Sequence, residues 1–210
     1  MEAHRSRYQA ARENVLSLIG EVIGRMAEYE PMVYNTEPRK AILRINRDIR
    51  FSKNKTPYKH YMGAIFNKDN AHRSYFPDYY LHIEPGNSFL AGGCWYPTGE
   101  AMRRIRSKID LEGDRFQAIL DAPEFKSYFG GIEGEVLKTS PRDYDKDHPH
   151  IDLLRHKTFS AMHRLTDEEV LSPKLADEIA DGFLVFKPFY DFMVETFDIE
   201  EDKMGDVSFL

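Results

Sequence analysis

The sequence predicts an α+β fold, in which a mainly antiparallel sheet packs against a long N-terminal helix and C-terminal helices. Two observations predict it. Apolar residues recur every three or four positions near both ends of the chain, which is typical of amphipathic helices. Between these regions, short alternating stretches follow one another and are separated by turn residues. Because strands come largely in series and helices cluster at the ends, α+β fits better than a βαβ alternation.

The first predicted element is an amphipathic helix over about residues 3–28. Val15, Leu18 and Val22 belong to an apolar series with spacings of three and four, and charged residues lie between its members. Pro31 follows and ends the helix, because proline lacks the backbone N–H that a helix interior requires.

Four strands are expected next, because apolar and polar residues alternate in each stretch or turn residues flank it. They cover residues 41–46, 61–66, 79–84 and 88–96.

Pro85 and Gly86 form a strong turn signal between the third and fourth of these strands. A tight turn there places His82 opposite Phe89. His82 and Glu84 stand two positions apart and therefore project from one face of the strand.

The second half of the chain is predicted to carry helices, a long loop and a last strand. Thr98 is an N-cap for a helix over about 99–110, and Ser172 with Pro173 begins the C-terminal helix, which Pro188 kinks or restarts. Between them we expect a short helix at about 114–121, a helical turn after Pro123, a loop over 130–149, a helical turn within 148–155 and a strand within 157–164.

Length and composition predict one globular domain over residues 1–210 and exclude several classes of protein. The 210 residues are 30% charged and 41% hydrophobic, which fits a soluble domain with a core. The single cysteine, Cys94, cannot form an intrachain disulfide and is expected to be buried. No apolar run approaches the ~18 residues that cross a bilayer, and the charged N-terminus lacks a signal peptide's apolar region. We therefore expect a cytoplasmic protein with no membrane partner.

Charge is distributed unevenly along the chain. Residues 39–60, here called the basic segment, carry eight Lys or Arg and one Asp, whereas residues 165–210 carry thirteen acidic residues and three lysines. The formal net charge of -6 argues against a protein whose whole surface binds nucleic acid. The basic segment also contains Phe51, Pro57 and Tyr58, which are expected to anchor it in an ordered conformation.

Four motifs identify a family resemblance: RDIRFSKNKTPYKH at 47–60, YYLHIEPG at 79–86, GGCWYP at 92–97 and PRDYDKDHP at 141–149. Together they resemble the bacterial and fungal family catalogued as domain of unknown function 2461. The resemblance extends over about residues 1–165 and implies an α+β single domain, followed by an acidic helical segment over about 166–210. It implies a set of positions rather than an activity, and Asn54 and Asp143 depart from the family pattern. Matching positions are Arg47, Asp48, Arg50, Phe51, Ser52, Lys55, Pro57, Tyr58, Lys59, Glu84, Gly93, Arg106, Tyr144, His148, Pro149 and Lys157.

The leading functional hypothesis is a polar, cationic pocket that binds a small anionic ligand containing phosphate or carboxylate. Arginine offers a rigid fork of donors for such groups, and lysine adds a point charge. The alternative without a ligand is a cationic connection that pairs with Asp48 and the acidic tail. The predicted ligand-binding residues are Arg47, Arg50, Lys55, Tyr58 and Lys59, with Arg106 and Lys157 from later segments.

Two other functions stay open at this stage. One is an enzyme, such as a hydrolase, in which His148 and Glu84 are the acid–base groups, because histidine titrates near neutral pH. Asp145 or Asp147 would then orient His148, although His148 alternatively caps the helical turn that follows it. The other is a nucleic-acid or protein interaction module that uses the basic segment as an exposed patch.

A metal site is the weakest of the candidate sites. His82, Glu84, His148 and His150 have ligand chemistry, but their spacing matches no recognised metal motif, and we expect no metal. The sequence points to no particular cofactor.

Overall fold

The computed structural model describes residues 4–51, 53–66 and 76–198, and these residues form an α+β fold as predicted. In the described part of the chain there are seven α-helices, one short 3-10 helix and a four-stranded antiparallel sheet. The helices are α1 Arg5–Met26, α2 Pro38–Ala41, α3 Gly99–Asp121, α4 Pro123–Phe129, α5 Ile151–Leu154, α6 Asp167–Val170 and α7 Leu175–Asp198, and the 3-10 helix is Pro31–Val33. The strands are β1 Met62–Phe66, β2 Asp78–Ile83, β3 Ser88–Cys94 and β4 Phe159–Leu165.

The sheet follows chain order, β1-β2-β3-β4. In the antiparallel register of β1 and β2, Ala64 lies opposite Leu81 and Gly63 lies opposite His82. Since side chains alternate between the faces of a strand, this register sends buried Leu81 to one face and His82 to the other.

The segment over 41–46 differs from the expected strand. Ala41 ends α2, which Pro38 begins, so only two isolated bridges remain, from Ile42 to Ala64 and from Asn46 to Tyr58. The proline is favoured in the first helical turn, where no intrahelical partner exists for its missing N–H. The segment is therefore an irregular ladder beside β1 rather than a regular strand.

The long helices α3 and α7 are close to the prediction. The two helices expected over 99–121 are both present in α3 and meet at a kink, where the backbone of Glu112 is non-helical. Its predicted N-cap is confirmed, because the Thr98 side chain accepts a hydrogen bond from the Ala101 N–H at 3.3 Å. Helix α7 continues through Pro188, and the burial of Phe186 and Phe189 on either side of the proline holds that turn in place.

The chain forms two compact units, each assembled from separate stretches. The described part of the first unit lies within residues 4–66, 79–90 and 163–184. Its core includes the ring of Phe183, whose centroid lies 5.7 Å from that of Phe66 and 5.1 Å from that of Tyr79. The buried Tyr79 hydroxyl donates to Glu30 Oε2 at 3.1 Å, and the Tyr29 hydroxyl donates to the Ala180 carbonyl at 2.7 Å.

The described part of the second unit covers residues 76–78, 91–162 and 185–198. Phe116 stacks on Phe192 with centroids 4.5 Å apart. Gly92 packs directly on the Phe186 ring, and a Cβ at position 92 would lie only 2.3 Å from a carbon of that ring. Cys94 is buried as expected, and burial raises the pKa of its thiol.

Part of the predicted acidic segment, residues 199–210, lies outside the described residues, as does Ser52. None of the helices in the described ranges is long and apolar enough to cross a membrane.

Replacing Phe183 by alanine should lower the free energy of unfolding by about 3–5 kcal/mol, because the ring is fully buried against two other rings. Urea denaturation followed by circular dichroism measures the change. Leu171→Ala is the control: this side chain is 83% exposed, and its removal should change stability by no more than about 0.5 kcal/mol. Equal losses in the two variants would contradict this description of the core.

Candidate functional site

The basic segment folds back on itself as an irregular hairpin in the first unit. The Arg47 N–H donates to the Pro57 carbonyl at 3.0 Å, and the Lys59 N–H donates to the Ile45 carbonyl at 2.8 Å. The Leu43 N–H donates to the Gly63 carbonyl at 2.8 Å, which joins the hairpin to the edge of β1. Residues 48–51 and 53–55 lie at the tip of this hairpin.

Three of the predicted ligand-binding cations hold the tip together. Arg50 pairs with Asp48 at 2.6 Å, as expected, and this contact lowers the pKa of the Asp48 carboxyl. Arg47 was expected to meet an acidic partner or an anion, but it donates instead to the Thr56 carbonyl at 3.2 Å. Lys55 Nζ donates to the Ile49 carbonyl at 2.9 Å.

The aromatic anchors of the segment are not those expected from the sequence. Phe51 is 95% exposed and Pro57 is also exposed, so the prediction that they anchor the hairpin is wrong. The Arg50 guanidinium lies 5.8 Å from the Phe51 ring centroid, which is a surface contact. Tyr58 is half-buried, and its backbone pairs with Asn46. Main-chain pairing rather than burial of Phe51 therefore holds the tip.

Among the described residues, the side chains of Lys59 and Arg44 differ from these three cations because they form neither a hydrogen bond nor an ion pair. Lys59 is half-buried, and its Nζ lies 5.2 Å from the centroid of the Tyr61 ring. Burial lowers the pKa of Lys59, and the positive charge of Arg44 lowers it further. Within residues 4–51, 53–66 and 76–198, neither cation forms an ion pair with an acidic side chain.

A chain of hydrogen-bonded side chains follows β2 in the same unit. Tyr80 Oη lies 3.0 Å from His82 Nδ1, and His82 Nε2 lies 3.0 Å from Glu84 Oε2. Asn87 Nδ2 donates to the same Glu84 oxygen at 2.8 Å, and His60 Nδ1 contacts Oε1. Alternation along the strand explains why the side chains at positions 80, 82 and 84 meet on one face.

The aromatic side chains around His82 fix its ring. The Phe89 ring stacks on it with centroids 4.5 Å apart and planes 10° apart, as the predicted hairpin register implies. The Tyr61 ring lies 4.1 Å from it. The side chain of His82 is only 8% exposed.

Glu84 is a hydrogen-bond acceptor with an unusually low pKa. The hydrogen bond from His82 is the largest cause, followed by those from Asn87 and then the contact with His60, and together they lower the pKa of Glu84 to about 2. An ionised carboxylate only accepts hydrogen bonds, so His82 carries its proton on Nε2. In the neutral imidazole, Nδ1 is then an acceptor for the Tyr80 hydroxyl.

Sequence reasoning singled out Glu84 and weighed His82 but missed Tyr80, His60 and Asn87 as their partners. Alternation along β2 was a usable signal for Tyr80, because position 80 shares a face with position 82. No local signal identified His60, which meets Glu84 through the fold of the basic segment.

His148, the predicted acid–base group, lies in the second unit. Its Nε2 lies 2.9 Å from Asp110 Oδ1 on α3, and its Nδ1 accepts the His150 backbone N–H at 3.0 Å. The carboxylate that orients it is therefore Asp110 and not Asp145 or Asp147. Both ring nitrogens are occupied by these contacts, which fasten the loop before α5 to α3.

His150 makes a second contact between this loop and α3. Its Nε2 lies 3.4 Å from Asp114 Oδ1, one helical turn beyond Asp110. The imidazole ring covers Gly113, where a Cβ would lie 2.2 Å from the ring carbon Cδ2. Glycine is required at this position because the ring lies directly against the helix backbone.

The other two predicted ligand-binding residues of the second unit are engaged within it. Arg106 donates from Nε to the Leu154 carbonyl at 2.9 Å, and burial lowers the pKa of this half-buried guanidinium. Lys157 Nζ pairs with Glu135 at 2.7 Å. The first unit holds Arg47, Arg50, Lys55, Tyr58, Lys59 and Glu84, and the second unit holds Arg106, His148 and Lys157.

Among the described residues, no group of three or more His, Cys, Asp or Glu side chains is arranged to hold a metal ion. His82 and Glu84, which were weighed as ligands, bond to each other instead.

The comparisons agree with the motifs in the chain. The family model described as "Conserved hypothetical protein (DUF2461)" matches residues 1–192, which is most of the sequence. The chain therefore belongs to this family, and the resemblance read from its motifs is confirmed. No curated protein and no solved structure matches it.

Replacing Glu84 by glutamine should reduce the loss of stability that the protein suffers in acid. Because the fold lowers the pKa of this carboxyl from its ordinary value of 4.5 to about 2, its ionised form stabilises the fold above pH 4.5. That contribution disappears as the pH falls from 4.5 to 2. Urea denaturation over this range should show the variant less stable than wild type at the upper end, with a difference that shrinks toward the lower end.

Glu28→Gln is the control for the Glu84 measurement, since Glu28 is exposed in the same unit. Its stability curve should run parallel to that of wild type. A constant difference between Glu84→Gln and wild type across the acid range would contradict the assigned role of the carboxylate.

Replacing Gly113 by alanine should destabilise the protein by about 1–3 kcal/mol, because the new methyl group would overlap the His150 ring. Alanine is otherwise the better helix residue by about 1 kcal/mol, so the sign of the effect is informative. In a His150→Ala background the ring is absent, and Gly113→Ala should become neutral or stabilising. A double-mutant cycle in urea measures this coupling, and an additive result would contradict the contact.

Proposed function

We propose that the protein binds a small anionic group, a phosphate or a carboxylate, at Arg44 and Lys59 of the basic segment. The observation that carries the proposal is the half-buried ammonium of Lys59, which lies near a second cation and has no ion-pair partner among the described residues.

The energetics of these two cations favour an anion. Removing a charge from water costs free energy unless the charge is paired, and two like charges in proximity add repulsion. An anion between Lys59 and Arg44 would relieve both costs. The guanidinium would supply paired donors and the ammonium a point charge. The Tyr61 ring lies below the Lys59 ammonium, 5.2 Å from Nζ to the ring centroid, and helps to hold this charge in place.

Within this proposal, the other cations of the hairpin support the site rather than bind the anion. Arg47, Arg50 and Lys55 are bonded to carbonyls or to Asp48, and these bonds close the tip. Tyr58 is half-buried beside Lys59 in sequence and pairs with the opposite arm of the hairpin. Together they define the position from which Lys59 extends.

The test is isothermal titration calorimetry, in which the protein is titrated with inorganic phosphate or with citrate. Lys59→Ala and Arg44→Ala should each weaken binding about 10- to 100-fold, which corresponds to one or two charge-assisted hydrogen bonds. Lys53→Ala is the matched control, because it removes the same charge from an exposed position of the same hairpin. Equal affinity in all variants, or no heat with either anion, would contradict the proposal.

A second candidate is an interaction with single-stranded nucleic acid at the hairpin tip. The observation that favours it is the 95% exposed Phe51 ring beside exposed Arg50, Lys53 and Lys55, since aromatic rings stack on bases and cations track the phosphates. The same variants separate the two functions. If the oligonucleotide is the ligand, Lys53→Ala and Phe51→Ala weaken binding of a thymidine oligonucleotide. If the small anion is the ligand, neither variant changes phosphate binding.

A further inference from the structure

We propose that Tyr80 is a nucleophile activated by His82 and Glu84, and that it accepts an acyl or phosphoryl group from an electrophilic ester. The three side chains form one hydrogen-bonded row with successive contacts of 3.0 Å. This inference goes beyond anion binding. It depends on other residues than Arg44 and Lys59, so either proposal can fail alone.

The direction of the hydrogen bonds gives each residue its role. Glu84 is an obligate acceptor, so His82 donates to it from Nε2 and directs the lone pair of Nδ1 at the Tyr80 hydroxyl. A nucleophile, a base and a group that orients the base are the parts required to activate a hydroxyl. Here Tyr80 is the nucleophile, His82 is the base and Glu84 is a positioning residue.

The surroundings preorganise the base. The His82 ring lies between the rings of Phe89 and Tyr61, at centroid distances of 4.5 and 4.1 Å. These rings exclude water from its faces and prevent it from turning. Glu84 is itself held by Asn87 and His60, so the carboxylate does not need to reorganise when His82 becomes charged.

The hydroxyl end of Tyr80 lies over a glycine. A Cβ at Gly63 would be 3.0 Å from Tyr80 Oη and 3.3 Å from Leu43 Cδ1, so any larger residue would crowd the phenol. Gly63 lies directly opposite His82 in the register of β1 and β2. Tyr80 is half-buried and keeps part of its surface accessible. Glycine at position 63 therefore lets the Tyr80 hydroxyl lie against β1 within reach of His82.

The reaction needs only the ester and water. Tyr80 Oη forms a bond to the carbon or phosphorus of the ester, its proton moves to His82 Nδ1, and the bond to the leaving oxygen breaks. The charged imidazole pairs with Glu84 and gives the Nδ1 proton to the leaving oxygen. His82 then deprotonates a water molecule that attacks the tyrosyl ester, the bond to Tyr80 Oη breaks, and His82 returns the proton to Tyr80 Oη. The sum is an ester plus water giving an acid plus an alcohol.

Covalent labelling of the full chain tests the proposal directly. The probe is phenylmethanesulfonyl fluoride, an electrophile that reacts with activated hydroxyls by losing fluoride. Intact mass and peptide mapping should show one adduct, on Tyr80, and none in Tyr80→Phe. Tyr34→Phe, which changes an exposed tyrosine of the same unit, is the control and should label at the wild-type rate. No adduct, or an adduct that forms first on another residue, would overturn the proposal.

Two variants test the base and the positioning residue. His82→Gln should slow the labelling of Tyr80 at least about tenfold, which corresponds to about 1.4 kcal/mol of lost activation. If thermal melting shows that this variant does not fold, Glu84→Gln provides the test: labelling should slow, and its rate should follow a shifted pH profile. An unchanged rate and profile in a folded variant would overturn the roles assigned to His82 and Glu84.

Discussion

The antiparallel pairing of β2 with β1 is the interaction on which the candidate chemistry of the first unit depends. It sends Tyr79 and Leu81 into the core and leaves Tyr80 and His82 on the opposite face. The strand therefore contributes to stability with one set of side chains and to a polar site with the other. Because the period of a strand is two, a register slip of one residue would exchange these two sets.

The hydrogen bonding of β1 continues into the basic segment and so determines where its charged side chains lie. The hydrogen bond between Leu43 and Gly63 attaches the hairpin to β1, and the Tyr61 ring, at the end of the hairpin, lies on His82. Lys59 Nζ also lies over the Tyr61 ring, 5.2 Å from its centroid. The Tyr61 ring thus contacts both His82, the proposed base, and Lys59, the cation of the proposed anion site.

Patterns that depend on neighbours in sequence were predicted well, and those that depend on the tertiary fold were not. The turn at Pro85, the cap at Thr98 and the stacking of Phe89 on His82 follow from local rules. Phe51 was predicted to be an anchor because it is apolar, but it is exposed. Only the tertiary fold shows that the tip of the hairpin does not reach the core. The His150 ring packs on Gly113, which is 37 positions away in sequence, and no rule based on sequence spacing predicts this contact.

Asn87, a residue of the turn after β2, helps to keep the Glu84 carboxyl ionised. Its side-chain oxygen accepts from Arg164 at 3.0 Å, which leaves the amide nitrogen directed at Glu84. Deamidation of this side chain would convert the donor into an acceptor and place a second carboxylate against the first. Glu84 would then lose one of the bonds that keep it ionised and gain a repelling neighbour. The chemical ageing of one exposed amide would in this way raise the pKa of the carboxylate that orients His82.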